Sequence, residues 1–449
     1  MMNQQIKEAV GNSKLNRFHI LLTLICMFVV LTEGYDLVIY GSIKGQIIAE
    51  WGIDKVTAGL LGSAALLGMM AGSFSLGILA DLLGRKRVLV FCLTVFSLGT
   101  GLAGFTHSPL PFALCRFIAG LGIGGAMPNA IGLLSDYILN RNRNILIATA
   151  MAGMQIGGIL SPVISLALGA DSWRICLWLG FVPLLMAPVI IKQLPDSLDY
   201  LLRTGRLAAL EKAVSQAAPG FHLAGASPDK ETEAEPGRQK LPVRALFQQG
   251  RARNTGLFWV AFFMGLLMIY GLNTWLPDLM FNAGYDLGSS LTFLIALNSA
   301  ALLGSVILGR VADRVNTRLL LVTLYWLGAV SMMLLAVKST TLTAYILISL
   351  CGICVFGCQN IGTAFVAGYY PSQIRSTALG VCNTVGRLGG ILGPTLGGVL
   401  MAAALSMTLN CLAFALPGLA AGGAYLLSTA GKTKNQAQAA ELGVVAEYP

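Results

Sequence analysis

Twelve uninterrupted apolar stretches, each long enough to cross a bilayer, dominate the chain. A hydrocarbon core about 30 Å thick needs about 20 apolar residues in a helix. Stretches of that length fall near 18–40, 56–80, 88–107, 110–138, 145–169 and 174–193. Six more fall near 255–277, 289–312, 318–337, 341–370, 376–402 and 406–428. In lipid only helices and closed barrels satisfy every backbone N–H and C=O. Barrel strands read as short alternating segments rather than long apolar runs. The pattern therefore specifies an all-α membrane protein with twelve transmembrane helices. Composition agrees, with 55% hydrophobic and only 11% charged residues. Water-soluble domains carry about 25% charged residues, and disordered chains have few apolar ones.

The spans divide six and six around a polar segment rich in Pro, Gly, Lys and Glu. The expected organisation is an N-terminal six-helix bundle over 1–193, a cytoplasmic linker over 194–253, a C-terminal six-helix bundle over 254–430 and a cytoplasmic tail over 431–449. Lys and Arg set the orientation. With the N-terminus inside, the inner face holds Lys14, Arg17, Arg85, Lys86, Arg87, Arg141, Arg143, Arg314 and Arg375 among others, while the outer loops keep Lys44, Lys55, Arg174 and Lys338. Both termini are then cytoplasmic, and the chain is a multi-pass protein of the cell's inner membrane. The net charge of +10 reads as loops facing anionic lipid, not as a nucleic-acid surface. The first residues are polar and the first apolar run is long, so no cleavable signal is expected. The nine cysteines lie in apolar runs and the three histidines are scattered, so neither a metal site nor a cofactor is expected.

The halves repeat. Gly157-Gly158-Ile159-Leu160-Ser161-Pro162 recurs as Gly389-Gly390-Ile391-Leu392-Gly393-Pro394, an offset of 232 (389 minus 157). The same offset takes Arg143 to Arg375 and Asp81 to Asp313. Duplicated six-helix bundles place a substrate site near mid-membrane at the repeat interface.

After the second span comes Gly77-Ile78-Leu79-Ala80-Asp81-Leu82-Leu83-Gly84-Arg85-Lys86-Arg87. Gly77 would permit close helix contact, and Asp81 at a helix end would pair with Arg85 or a neighbouring helix N-terminus, latching an inner gate. Gly309-Arg310-Val311-Ala312-Asp313-Arg314 is its degenerate partner, so Gly77, Asp81, Gly84, Arg85, Asp313 and Arg314 are the gating candidates. Positive-inside anchoring alone explains the arginines but not the aspartates. The first of these loops resembles the G-x-L-A-D-x-x-G-R-[RK] signature of the major facilitator superfamily. The Arg116-Phe117-Ile118-Ala119-Gly120 segment and the Pro162 region also look like that superfamily's fourth and fifth spans.

In the first span, Thr32-Glu33-Gly34-Tyr35-Asp36 through Tyr40 resembles the D-G-[FY]-D signature of the aromatic acid:proton symporter family, with Glu33 in place of its first Asp. Tyr270-Gly271-Leu272-Asn273-Thr274-Trp275-Leu276-Pro277 and the run from Tyr369 to Arg375 are similar to the same family. The resemblance covers essentially the whole chain. It implies two six-helix bundles in the major facilitator fold, transport without enzymatic chemistry, and benzoate or a hydroxybenzoate as cargo.

On their own terms, Glu33 and Asp36 share a helix face, with Tyr40 one turn further on. Carboxylates inside a span are costly and functional by default, and a close pair is suited to taking up and releasing a proton. The plainer alternatives are a cap on a helix break at Gly34 or a pair with Lys44. Arg116 and Arg387 are the arginines well inside spans, and a guanidinium offers two donors to a carboxylate. Arg387 replaces Gln155 of the repeat and is the preferred cargo ligand. Arg116 is a further ligand candidate, although the resemblance implies a structural or proton-relay role. Tyr40, Trp275 and Phe365 are candidates for an aromatic wall or for packing. Asn298 and Gln359 are candidates for bonding a ring hydroxyl or another helix.

The leading expectation is a monomeric, proton-coupled importer of a small aromatic carboxylate working by alternating access. The alternatives are a carrier of a non-aromatic acid such as muconate, a superfamily exporter, or a sugar or osmolyte permease. No phosphate-binding loop of an ATP-driven pump and no catalytic triad occurs in the sequence.

Overall fold

A computed structural model describes residues 2–169, 172–221, 243–312, 314–337 and 340–429. All regular structure among them is helical. A short α1 (Met2–Gly11) precedes α2 (Arg17–Trp51), α3 (Lys55–Leu83), α4 (Arg85–Ala103), α5 (Pro109–Asp136) and α6 (Arg143–Leu168). The sixth crossing is split into α7 (Trp173–Trp178), a 3-10 stretch (Leu179–Leu185) and α8 (Met186–Gln193). Pro183 within that stretch offers no N–H to an α-type bond. Two short helices follow, α9 (Leu198–Arg203) and α10 (Leu207–Ala217). The second half comprises α11 (Ala252–Asn282), α12 (Leu287–Ala312), α13 (Thr317–Leu334), α14 (Thr341–Tyr369), α15 (Ser372–Ala402) and α16 (Met407–Leu427). Twelve crossings are long and apolar enough to span a membrane, as the hydropathy pattern requires. Large apolar side chains lie outward, Phe74 at 77% and Leu185 at 74% exposure, which suits a lipid environment and no aqueous one.

The chain forms two compact units that divide at Glu235 and Pro236. In the first, α2 packs on α6, and α5 packs on both α3 and α4. In the second, α11 packs on α15, and α14 packs on both α12 and α13. The duplication is thus visible in the packing. A Cβ on Gly157 would overlap the carbonyl oxygen of Leu31, and one on Gly389 would overlap that of Phe263. Leu31 and Phe263 are themselves 232 apart. Helix backbones meet at small residues because apolar lipid gives no hydrophobic drive to bring large ones together.

Caps repeat as well. Gly52 ends α2 with a left-handed φ of +62°, and Asp54 caps α3 by accepting from the Thr57 N–H at 3.2 Å. At the same offset, Gly284 has φ +96°, and Asp286 accepts from the Ser289 N–H at 3.2 Å and its hydroxyl at 2.6 Å. Both aspartates are solvent-exposed, and these hydrogen bonds hold their carboxyls below the usual carboxylate range.

Two expectations change. The first span runs to Trp51, well past residue 40, so Lys44 lies within α2 and is fully buried rather than in an outer loop. The terminator is Gly52, not the earlier glycines. The helix also continues through Gly34 without a break, so Glu33 and Asp36 cap nothing there. Gly34 instead admits the backbone of Met154 on α6. The linker segment contributes α9 and α10, which pack against each other, and α10 touches α1 and α2. The 431–449 tail lies outside the described residues.

Candidate functional site

Asp36 stands midway along α2 with no exposed surface, and Arg116 of α5 is 2% exposed. Arg116 Nη1 donates to Asp36 Oδ1 at 2.6 Å, and Nη2 donates to the Asp36 carbonyl at 3.1 Å. Thr100 of α4, also fully buried, donates its hydroxyl to the same Oδ1 at 2.7 Å. Three helices therefore converge on one carboxylate. Asp36 Oδ2 and Arg116 Nε have no hydrogen-bond partner among the described residues. Burying two charges costs several kcal/mol per ion, about, and only close geometry and added hydrogen bonds recover it. Glu33 lies one turn earlier on α2, 1% exposed. Lys44, two turns beyond Asp36 and fully buried, belongs to the same interior.

The three positions equivalent by the 232 offset are Met268, Ile348 and Met332, buried at 0%, 1% and 1% exposure. One unit thus places an acid, a base and a hydroxyl where the other places three apolar side chains. Thr100 escaped the sequence reading. Its only signal was a lone hydroxyl between Gly99 and Gly101 in an apolar run. Gly180 leaves room for its methyl group.

The remaining candidates sort by what they touch. Tyr40 donates to the Ala58 carbonyl and lies 6.1 Å from the Phe112 ring, in an apolar cluster with Trp173. Trp275 is fully buried, with its indole N–H donating to the Pro394 carbonyl at 2.8 Å. Both rings are held by packing between helices. Phe365 meets Phe258 and Tyr425 edge-on. Asn298, 2% exposed, donates to Asn273 Oδ1 at 3.1 Å and joins α12 to α11. Gln359 of α14 is half-buried, its Oε1 facing Gly265 of α11. Arg387 is half-buried on α15, between Gly386 and Gly389, which both fit against α11.

The loop motif is rearranged relative to expectation. A Cβ on Gly77 would meet nothing within 4 Å among the described residues. Close approach of α3 to α5 occurs at Gly68 and Gly72 instead. Arg85 pairs with Asp136 of α5 at 3.4 Å. Asp81 sits in the last turn of α3. Gly84 takes φ +94°, a conformation that favours glycine, and a Cβ there would overlap the Asp196 carboxylate. Asp196 Oδ1 accepts from the N–H groups of Lys86 at 3.2 Å and Ser197 at 2.9 Å. Arg314 is exposed, and Asp313 lies outside the described residues. The grouped cysteines Cys351, Cys354 and Cys358 are buried, and no group of metal-ligating side chains occurs among the described residues.

A duplicated twelve-crossing helical fold with a charge pair sealed inside one unit is the arrangement that has to be matched to known proteins, and those it matches are membrane transporters. The Major Facilitator Superfamily matches residues 26–394 and again 293–446. The chain is 36% identical over 423 residues to the benzoate transport protein of Acinetobacter baylyi, covering 92% of this chain and 90% of that protein. It is 31% identical over 430 residues to the gallate transporter of Pseudomonas putida, covering 94% of each. It is 33% identical over 404 residues to the gentisate transporter of Corynebacterium glutamicum, covering 88% of this chain and 84% of that one. The fold is similar to the D-xylose-proton symporter, with TM-score 0.72 and 15% identity over 91% of this chain and 98% of that one. The chain belongs to the Major Facilitator Superfamily, and within it to the family of these transporters.

Proposed function

We propose that the protein imports an aromatic carboxylate, benzoate or a hydroxybenzoate, together with protons, by alternating access as a monomer in the inner membrane with both termini cytoplasmic. The observation that carries the coupling is the Asp36 carboxylate, buried among Arg116 and Thr100, with Oδ2 left unengaged by any described residue. A proton arriving on that oxygen neutralises Asp36 and weakens its hold on Arg116. Departure of the proton restores the pair. A carboxyl that alternates between these states links proton movement to helix packing. Glu33, on the same face, is the second carboxyl available to the relay.

The cargo class is supported by the relatives, whose names are those of carriers of benzoate, gallate and gentisate. Each is a ring bearing a carboxylate. Arg387 is the ligand proposed for that carboxylate, because it is an in-span guanidinium absent from the equivalent position of the first unit. A negative-inside potential opposes an anion by about 2.3 kcal/mol per charge per 100 mV. One proton makes the step electroneutral, and a second makes the potential assist it.

Proteoliposomes carrying the purified protein test this. Labelled benzoate is expected to accumulate under an inward proton gradient and to equilibrate when a protonophore is added. Accumulation that persists with the protonophore would reject proton coupling. Competition by a panel of ring acids and by muconate would settle the cargo class.

A further inference from the structure

A cavity of about 570 Å³ opens beside the first unit's loop motif, where α4 begins, α8 ends and α10 passes. Lys86, Arg87, Lys192, Arg206 and Lys212 line it, with Asp196 the acidic side chain among the lining residues. Asp196 already accepts from two backbone amides through Oδ1. Lys86 Nζ donates to the Ile191 carbonyl at 2.7 Å. Arg87 donates to the Tyr200 hydroxyl at 3.4 Å, and Arg206 lies 5.8 Å from the Tyr200 ring centroid. Arg87, Lys192, Arg206 and Lys212 make no ion pair among the described residues. Five cations and one carboxylate line this concavity, which leaves it net positive, and an anion seated there would offset that charge. The transport reading uses none of them.

One further feature bears on the source of the anion. Ile191, 55% exposed, belongs to the sixth crossing and also lines the cavity. The cavity therefore meets the lipid-facing flank of the helix at the depth where the crossing ends. We propose that it binds a phosphate-ester anion, supplied at this depth by the headgroup of an anionic phospholipid whose acyl chains run along α8. Basic pockets at the cytoplasmic ends of membrane helices are suited to such headgroups. The lipid source rests on the inward orientation proposed above, whereas the phosphate chemistry does not. Because α10 supplies Lys212 and its preceding residue is Arg206, a bound headgroup would tie the linker helix to α4 and α8.

Native mass spectrometry of the delipidated full chain tests the proposal, with phosphatidylglycerol, phosphatidylcholine and glycerol 3-phosphate each added separately. Phosphatidylglycerol is expected to remain bound where phosphatidylcholine is lost. A surface cation contributes about fivefold to such binding, so R206Q/K212Q is expected to weaken retention about twenty-five-fold. K192Q, on α8, is expected to weaken it about fivefold. Binding of glycerol 3-phosphate equal to that of phosphatidylglycerol, with the same losses in both variants, would keep the phosphate site and overturn the lipid source. Equal retention of the two lipids, or unchanged retention in variants with the wild-type melting midpoint, would overturn the site. Neither reading depends on benzoate, so failure of the transport assay leaves this result separate.

Discussion

Arg116 grips both the side chain and the backbone of Asp36, with Nη1 at 2.6 Å from Oδ1 and Nη2 at 3.1 Å from the carbonyl oxygen. The two residues are 80 apart in the chain and almost wholly buried. The second unit builds the same positions from Met268 and Ile348. The charge pair is therefore not needed to assemble a six-helix bundle of this kind.

That comparison gives a separable test. Asp36→Asn and Arg116→Ala each leave one partner uncompensated in the interior, a loss of about 3–5 kcal/mol. The double variant Asp36→Met with Arg116→Ile copies the second unit and is expected to recover most of that stability, as apolar replacements of buried pairs often do. Thermal unfolding in detergent measures the recovery. All three variants are expected to lose uphill accumulation of benzoate, and near-normal uptake by the double variant would remove the pair from the coupling.

Three glycines that look alike in sequence are expected to fall into two groups. Gly157→Ala places a methyl group into the Leu31 carbonyl, and Gly389→Ala does the same at Phe263. Each is expected to cost about 3 kcal/mol or more and to reduce folded yield. Gly77→Ala meets open space and is expected to change stability by less than about 1 kcal/mol, in either direction. Size-exclusion profiles of the three variants measure the contrast. Equal losses would mean that the α2–α6 approach is not what the glycine provides.

Arg387→Ala is expected to weaken binding of benzoate far more than that of benzamide, because only the acid carries the charge that a guanidinium recognises. An ion-mediated hydrogen bond contributes about 1.5–3 kcal/mol, or roughly tenfold to a hundredfold in affinity. Competition against labelled benzoate reads both ligands. Equal losses for acid and amide would reassign Arg387 to helix packing.

Asp54 and Asp286 give a pH dependence with a definite sign. Their carboxyls are held below the ordinary range in the folded protein by the hydrogen bonds they accept. The folded state therefore binds their protons less readily than the unfolded chain does. The stabilisation is full above the unfolded carboxyl value and fades as pH falls through the lower folded one. Asp54→Ala and Asp286→Ala are expected to lower the melting midpoint at neutral pH and to converge on wild type in strong acid. A difference that stays constant with pH would assign the effect to lost helix contacts rather than to the ionised cap.

The twelve crossings, the six-plus-six division and the 232-residue register were all legible in the chain. Each follows from a property that is local or self-similar. Bilayer thickness dictates the length of an apolar run, and a duplication preserves its own spacing. The carboxylates in the first span were legible for the same reason, since a charge amid apolar residues stands out without any knowledge of its neighbours. Their partners were not. Whether Asp36 meets Lys44 or Arg116 depends on how α2 and α5 are rotated against each other, and Lys44 itself became an interior residue only because α2 runs on to Gly52. That the Trp275 N–H donates to the Pro394 carbonyl likewise depends on how α11 meets α15. Gly77 and Gly157 differ only in whether another backbone lies beside them. Composition along a helix shows that a side chain is costly to bury, while the mutual rotation of packed helices decides which group compensates it.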